Sequence, residues 1–207
     1  LQAGVKMYTL KSPDGKVKLE VTAGQGIAYS LFYDGRLLLK PSRIALHTDL
    51  PEADHWENIR ITGTKQRHVS ETVQAPFYRV KEFGIDCNEL ELRLNNGFSL
   101  LMRAYNDGMA YRFVAGRKGE MTVVEERAEF NFADDFEAYI PYSTNPKDPW
   151  NMAFQNFYTK APLTQYNTEL PAFLPLTVDA GAVKLTLLES DLEAYPGMFV
   201  CGDGKTP

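Results

Sequence analysis

The sequence predicts an all-β protein built as a large antiparallel β-sandwich. Short segments that alternate apolar and polar residues recur along the whole chain, and turn residues separate them. No segment keeps a helical period for more than a few turns, and the connections are too short for crossover helices. At 207 residues the chain can bury one sizeable core. We therefore predict a single sandwich domain over residues 1–207.

The strongest local signal is a hairpin over residues 98–113. Two apolar-rich arms flank Asn106-Asp107-Gly108, and these three residue types accept positive φ in tight reversals. Neither face of the hairpin is plainly polar, so both faces are expected to be at least partly covered. Arg103 and Arg112 are the exceptions, and each is expected to reach a carboxylate or to lie flat on a tyrosine.

The other predicted strands are punctuated by similar turn signals. Pro13-Asp14-Gly15, Asp34-Gly35 and Asn95-Asn96-Gly97 each separate two alternating segments. The pattern weakens over residues 41–63, which we predict to be a polar, acidic loop around Trp56. The predicted strands cover residues 8–10, 17–22, 27–33, 36–39, 64–73, 83–94, 121–126, 128–132, 136–141, 172–178 and 183–188. The segment 83–94 is either one long strand or a pair of strands.

Composition limits the classes of partner. The net charge is −5 and the chain has no run of basic residues, which argues against nucleic-acid binding. No apolar stretch approaches the roughly 18 residues of a membrane span. The N-terminus has no apolar signal core, so we expect that any export signal has been removed. Residues 202–207 are typical of a turn that leads into another strand, and we expect the chain to be part of a longer protein.

The cysteines and histidines show no metal-binding pattern. Cys87 and Cys201 could form a disulfide, stay free or pair with another segment, and two unpaired thiols are the favoured interpretation. The spacing of the three histidines, His47, His55 and His68, does not match that of metal ligands, so structural or exposed histidines are expected.

The best chemical candidate is the acidic cluster Glu189, Asp191 and Glu193. Glu189 follows the apolar segment 183–188, where a carboxylate can serve as a Ca²⁺ ligand or accept a hydrogen bond from a sugar hydroxyl. The alternative is a solvated turn in which Ser190 caps a short helix and Glu193 completes a capping box. A complete Ca²⁺ cage needs about six to eight oxygens, and no loop here gathers them.

Two further features allow two interpretations each. The pairs Glu125-Glu126 and Asp134-Asp135 resemble glycosidase carboxylates, but neighbours on a strand point to opposite faces, and a turn explains the aspartates better. Residues 142–165 form a long aromatic loop that could stack on sugar rings or pack on another domain, and packing is favoured. Its large aromatic residues are Tyr142, Trp150, Phe154, Phe157 and Tyr158.

Four segments together resemble the N-terminal domain of glycoside hydrolase family 97. They are residues 12–16, residues 29–35, the hairpin 103–113 and the block 188–198, and they occur in the family's order along the chain. The resemblance covers essentially the whole chain. It implies a galactose-mutarotase-like super-sandwich placed ahead of a (β/α)₈ catalytic barrel. This chain is expected to stop before the barrel and short of the last strands of the sandwich.

The resemblance also implies a function. Family members are exported bacterial α-glucosidases or α-galactosidases that depend on Ca²⁺, so a periplasmic or secreted enzyme acting on oligosaccharides or α-glycosides is expected. Their catalytic carboxylates lie on the barrel and are absent from this chain, so the chain alone should be inactive. The N-terminal domain lends the active site one Ca²⁺ ligand, and the matching position is Glu189.

Two other classes of function remain open. One is a free-standing carbohydrate-binding or structural sandwich, which would carry an aromatic groove and no unpaired sheet edge. The other is mutarotase-like catalysis, which needs a histidine and a carboxylate that face one pocket.

Overall fold

The fold is all-β and antiparallel, as the sequence predicts. The computed structural model describes residues 5–151, 155–192 and 195–204. The chain divides into two compact units, Leu1–Asn131 and Phe132–Pro207. Among the described residues no helix has the length and apolar character needed to cross a membrane. Whether residues 1–207 form one domain stays a prediction.

The N-terminal unit contains two antiparallel sheets. The first sheet has the order β1-β2-β3-β4-β9 and the second has the order β5-β6-β7-β8. The strands of the first sheet are β1 (Lys6–Lys11), β2 (Val17–Gly24), β3 (Gly26–Tyr33), β4 (Arg36–Thr48) and β9 (Val123–Ala128). The strands of the second sheet are β5 (Ile61–Gln74), β6 (Glu82–Leu94), β7 (Phe98–Tyr105) and β8 (Gly108–Ala115).

The two sheets pack as a sandwich because each presents an apolar face with a period of two. Buried and half-buried residues alternate without a break along β2 and again along β7. Tyr29 of the first sheet contacts Tyr111 of the second, with ring centroids 6.0 Å apart. The fully buried side chains of this core include Leu19, Val21, Ile27, Tyr29, Ile44, Leu90, Leu92, Leu100 and Met102.

Trp56 closes the core from within the loop that the sequence predicts as polar and acidic. Its indole is 5% exposed and contacts Phe98 and Phe113, with ring centroids at 6.0 and 5.2 Å. Its Nε1–H donates to the Leu46 carbonyl oxygen at 3.1 Å. The loop is polar at its surface but is anchored by this one large aromatic residue. The buried indole N–H needs an acceptor, and a carbonyl oxygen of β4 supplies it.

Three strand predictions differ from the structure. β4 continues to Thr48, well past the predicted end at residue 39, because it pairs with β9 while bulges adjust its register with β3. The predicted strand 121–126 is β9, which covers Val123–Ala128, and the predicted strand 128–132 does not form beyond Ala128. The segment 83–94 is one long strand, β6, which is one of the two forms that the sequence allows.

The central hairpin forms as predicted, with one difference in its turn. Tyr105 pairs with Gly108, so Asn106 and Asp107 alone make the two-residue turn. None of these three turn residues has a positive φ, in contrast to Asp34 and Gly35. The Asn106 side chain accepts a hydrogen bond from the Asp14 N–H at 3.0 Å, so the turn amide is used to join two neighbouring hairpin turns.

A buried carboxylate lies on the outer face of the second sheet. Glu89 is 4% exposed and accepts from Arg67 Nε at 2.7 Å and from Arg103 Nε at 2.8 Å. The contact with Glu89 confirms the prediction that Arg103 reaches a carboxylate. Arg103 also donates to the Tyr105 hydroxyl at 3.5 Å. Burial raises the pKa of Glu89, but the hydrogen bonds and charges of the two guanidinium groups outweigh it and hold the pKa below its ordinary value.

The β5–β6 hairpin extends beyond the rest of its sheet. β7 pairs with β6 only from Cys87 to Arg93, whereas β5 and β6 stay paired out to Gln74 and Glu82. The projecting part of this ribbon carries exposed apolar residues on one face and at its tip: Val73, Phe77, Tyr78, Val80 and Phe83.

The C-terminal unit contains one four-stranded antiparallel sheet with the order β11-β10-β12-β13. Its buried side chains include Ala138 and Ile140 of β10 and Val178 of β12. The strands are β10 (Glu137–Ile140), β11 (Thr159–Pro162), β12 (Leu176–Asp179) and β13 (Lys184–Leu187), with a short 3₁₀ turn at Leu163–Gln165.

The Glu89 cluster makes a pH-dependent contribution to stability. We expect Glu89→Gln to lower the free energy of unfolding by about 2 kcal/mol at pH 7, because two charged hydrogen bonds are weakened. The pKa of Glu89 is lowered in the folded state, so its stabilisation is complete above about pH 4.3, the ordinary value of glutamate, and is lost as the pH falls through the lowered pKa. Urea unfolding at several pH values measures this.

The control for this experiment is Glu91→Gln, on the same strand and the same face. Glu91 is half-buried and its described contact is a long hydrogen bond from the Ser99 hydroxyl at 3.5 Å. We expect a change of less than about 0.5 kcal/mol for this variant. A difference between wild type and Glu89→Gln that stays constant from neutral to acidic pH would contradict the interpretation.

Candidate functional site

Glu189 lies just after the end of β13, where the chain leaves the sheet of the C-terminal unit. The side chain is half-buried. Both carboxylate oxygens accept the backbone N–H of Met198, with Oε1 and Oε2 at 2.8 and 2.9 Å from the nitrogen. This contact closes a loop over residues 190–197, of which Glu193 and Ala194 lie outside the described residues. The carboxylate is therefore held in one orientation by the backbone.

The segment that holds Glu189, residues 198–200, is fixed to the sheet side of the unit. Ala172 and Val200 form an antiparallel bridge in which each N–H donates to the other's carbonyl oxygen, at 2.8 and 2.9 Å. The Tyr166 hydroxyl donates to the same Val200 carbonyl oxygen at 2.8 Å. Burial raises the pKa of Tyr166, so this hydroxyl keeps its proton and remains a donor.

Trp150 meets this same segment through Phe199. The two rings are 4.8 Å apart between centroids and perpendicular at 89°. The residue before Trp150 is also fixed, because the buried Ser143 hydroxyl donates to the Pro149 carbonyl oxygen at 2.9 Å. The aromatic loop and the Glu189 block, which the sequence treats as separate features, thus meet at residues 198–200.

The aromatic loop is ordered at its base and exposed beyond it. Tyr142 is half-buried, and its hydroxyl accepts the Asn167 N–H at 2.7 Å. In contrast, Trp150, Phe157 and Tyr158 are 59%, 100% and 43% exposed. Burial of these three side chains within the unit is therefore not observed. Phe154 lies outside the described residues.

The capping-box alternative for the acidic cluster is not supported by the described residues. Residues 188–192 and 195–199 have no helical structure, so Ser190 caps no helix there. Asp191 is exposed and has a positive φ of 63°, which aspartate tolerates in turns. Over the described ranges no group of three or more histidine, cysteine, aspartate or glutamate side chains is arranged to hold a metal ion.

The remaining candidate residues have structural roles in the structure. Asp135 accepts from the backbone N–H and the hydroxyl of Thr164, at 2.9 and 2.8 Å, so it joins two distant parts of the unit. Asp134 Oδ1 accepts the Asp135 N–H at 2.9 Å, a local contact that fits the turn interpretation. His47 Nδ1 lies 2.7 Å from Asp54 Oδ1 and His68 Nδ1 lies 3.0 Å from Asn88 Oδ1.

The two cysteines are unpaired. Cys87 is buried and Cys201 is exposed, and both are free thiols, as the favoured interpretation of the sequence has it. Burial raises the pKa of the Cys87 thiol, which makes it an inert core residue.

Sequence reasoning missed the residues that hold the site together. Met198 contributes through its backbone N–H, and a backbone donor leaves no residue-type signal. Phe199 and Ser143 are single residues whose partners lie far along the chain, so no local pattern connects them. The Gly197-Met198-Phe199 tripeptide is the available hint, since it places a small residue and an aromatic residue next to the block that contains Glu189.

Comparisons with known proteins identify the class. The family model described as glycosyl-hydrolase 97 N-terminal matches residues 10–207. A retaining alpha-galactosidase of Bacteroides thetaiotaomicron is 40% identical over 202 residues, which are 94% of this chain and 30% of that protein. A probable retaining alpha-galactosidase of Streptomyces bingchenggensis is 26% identical over 158 residues, 74% of this chain and 24% of that protein.

Solved structures agree on the fold. A glycoside hydrolase family 97 enzyme from Pseudoalteromonas sp. strain K8, in complex with acarbose, superposes with a TM-score of 0.77 at 19% identity, over 94% of this chain and 30% of that chain. A beta-arabinopyranosidase superposes with a TM-score of 0.70 at 22% identity, over 83% of this chain and 29% of that chain.

The class defined by this fold and these matches is the β-sandwich module of a glycoside hydrolase. The chain belongs to the N-terminal domain family of glycoside hydrolase family 97. It spans about a third or less of the length of the relatives that it matches.

The packing of Tyr166 against Gly202 gives a test of how the 198–200 segment is held. A Cβ at Gly202 would lie 2.5 Å from Tyr166 Cδ1, too close for any real contact. We expect Gly202→Ala to lower the free energy of unfolding by about 1–3 kcal/mol, because the ring that bonds Val200 must move. Thermal unfolding of the purified chain measures this.

Gly84→Ala is the matched control, since a Cβ there meets nothing within 4 Å and the backbone is not in the left-handed region. We expect less than about 0.5 kcal/mol for this variant. Equal effects of the two substitutions would mean that the Tyr166 contact does not restrain the segment.

Proposed function

We propose that this chain is the N-terminal accessory domain of an exported, Ca²⁺-dependent α-glycosidase that acts on α-galactosides. The observation that carries the proposal is the 40% identity, over 94% of this chain, with a protein described as a retaining alpha-galactosidase. The catalytic carboxylates are assigned to a barrel elsewhere in the polypeptide because the family resemblance implies it, and this chain corresponds to 30% of that relative. Export to the periplasm or outside is included because the family resemblance implies it.

The role of this domain is to brace the barrel, to shape one wall of the carbohydrate pocket and to supply Glu189. Support for the first part comes from large apolar side chains that the chain leaves exposed, such as Tyr158 and Leu188. Exposed apolar residues gathered in one region favour an interface with another protein surface. The accessory role accounts for these residues, since a barrel docked on this domain would cover them.

Glu189 has the chemistry of a single Ca²⁺ ligand. A carboxylate offers about four lone-pair positions, and one shared backbone N–H from Met198 leaves capacity for a cation. Ca²⁺ takes about six to eight oxygen ligands, so one carboxylate fits as a contribution to a site completed by other residues. The Met198 contact fits this role, because it fixes the carboxylate without neutralising its charge.

The chemical contribution of this chain is therefore to position one metal ligand, the Glu189 carboxylate. A bound Ca²⁺ would supply positive charge next to the substrate in the active site. The Glu189 carboxylate is positioned just after the end of β13, and the bridge between Ala172 and Val200 keeps the Met198 donor in place. A rigid support of this kind is what a shared ligand needs, since small displacements of a catalytic group reduce the rate strongly.

A free-standing carbohydrate-binding or structural sandwich is the alternative from a different class. That alternative predicts no unpaired sheet edge. β5 is an edge strand of its sheet, and its hairpin with β6 projects with exposed apolar residues at the tip. The accessory role accounts for such edges and surfaces better, because the rest of a longer polypeptide can cover them.

Glu189→Gln in the enzyme that contains this chain tests the metal role. Glutamine keeps an oxygen that accepts the Met198 N–H, so the loop should keep its geometry while the charge is lost. We expect Ca²⁺ affinity to fall by about tenfold or more, because site affinity follows the number of charged ligands. Isothermal titration of the Ca²⁺-stripped protein measures binding, and Ca²⁺-dependent hydrolysis of 4-nitrophenyl α-galactoside measures activity.

Asp191→Asn is the control, because it removes a neighbouring charge and asparagine also tolerates a positive φ. Its Ca²⁺ affinity should stay within about twofold of wild type. Unchanged Ca²⁺ affinity in Glu189→Gln would refute the metal role. Hydrolysis of 4-nitrophenyl α-glycosides at enzymatic rates by the 207 residues alone would refute the accessory role.

A further inference from the structure

We propose that Trp150 is a sugar-stacking platform, on which the apolar face of a pyranose ring of the α-galactoside substrate rests. This inference rests on the proposed function and adds a binding residue that lies outside the predicted metal ligand.

The first argument is the position of Trp150 relative to Glu189. The Glu189 carboxylate binds the N–H of Met198, and the next residue, Phe199, contacts the Trp150 ring with centroids 4.8 Å apart. One rigid stretch of backbone therefore holds both groups. If Glu189 faces the carbohydrate pocket, Trp150 is held at the edge of that pocket.

The second argument is that the ring is exposed and yet restrained. Trp150 is 59% exposed, which is unusual for the side chain with the largest apolar area. Its ring is held perpendicular to Phe199, and the Pro149 carbonyl before it is bonded by the buried Ser143 hydroxyl. An aromatic surface fixed in advance loses little conformational entropy when a ligand covers it, which is the property a binding platform needs.

The third argument is the chemistry of the ligand. One face of a galactopyranose ring presents several C–H groups and little polarity, while its hydroxyl groups point outward around the rim. A C–H-rich face carries slight positive charge and matches the negative face of an indole, and carbohydrate-sized pockets combine such aromatic walls with a few polar groups. Trp150 offers the aromatic wall, and a cation held by Glu189 would supply the polar side.

The experiment measures hydrolysis of melibiose and competitive inhibition by galactose in the enzyme that contains this chain, for wild type, Trp150→Phe and Trp150→Ala. We expect Trp150→Ala to raise KM for melibiose and Ki for galactose by about tenfold each, and Trp150→Phe to raise them by about threefold, because a smaller ring keeps part of the stacking. Ca²⁺ affinity should be unchanged in both variants.

Phe157→Ala is the matched control, since Phe157 is a fully exposed aromatic residue of the same loop without a described ring contact to Phe199. Its KM and Ki should stay at the wild-type values. A rise in KM equal to that of Trp150→Ala would overturn the assignment to Trp150. A lower unfolding temperature in Trp150→Ala with unchanged KM and Ki would show a packing residue and also overturn it.

The two proposals fail in different ways. An active wild-type enzyme whose Trp150→Ala variant keeps its Ki for galactose overturns the stacking role and leaves the proposed function standing. A wild-type protein without α-galactosidase activity overturns the proposed function, and the stacking proposal falls with it.

Discussion

The candidate site depends on one short constraint, the fixing of residues 198–200. Val200 is bridged to Ala172, Phe199 packs on Trp150, and the Met198 N–H binds both oxygens of Glu189. Each contact alone is weak, because a single hydrogen bond or ring pair contributes about 1 kcal/mol. Together they join a strand end, an aromatic loop and a carboxylate into one unit, and a group held from several sides keeps its orientation. Without this segment Glu189 and Trp150 would be unrelated surface residues.

The sandwich of the N-terminal unit is stabilised in a different way. Its stability comes from two continuous apolar faces, with Trp56 closing the space between Phe98 and Phe113. Its outer surface is more specialised, since Glu89 is buried beneath Arg67 and Arg103 where a solvated face would be ordinary. The projecting β5–β6 ribbon is also unusual, because a two-stranded ribbon gains little stability by itself. An isolated sandwich needs neither the buried Glu89 carboxylate nor the projecting β5–β6 ribbon for its stability.

These observations fit the proposed role of a scaffold for chemistry located elsewhere. The described residues gather no set of metal-ligating side chains, and Asp135 of the paired aspartates is hydrogen-bonded to Thr164. What the chain offers is one oriented carboxylate and one oriented indole. Membership in glycoside hydrolase family 97 is consistent with such a division of roles, because the matched relatives are about three to four times as long as the region they share with this chain.

The sequence alone determined the fold class and most of the strands, because the period of two and the turn residues are local signals. It also predicted that Arg103 would reach a carboxylate or lie on a tyrosine, although not that Glu89 would be the carboxylate. Only the tertiary structure decided that β4 runs on to Thr48, that the Asn106-Asp107 turn avoids positive φ, and that Trp150 meets Phe199. Those outcomes depend on pairing with distant strands and on contacts between residues about fifty positions apart, and local patterns carry no information about such partners.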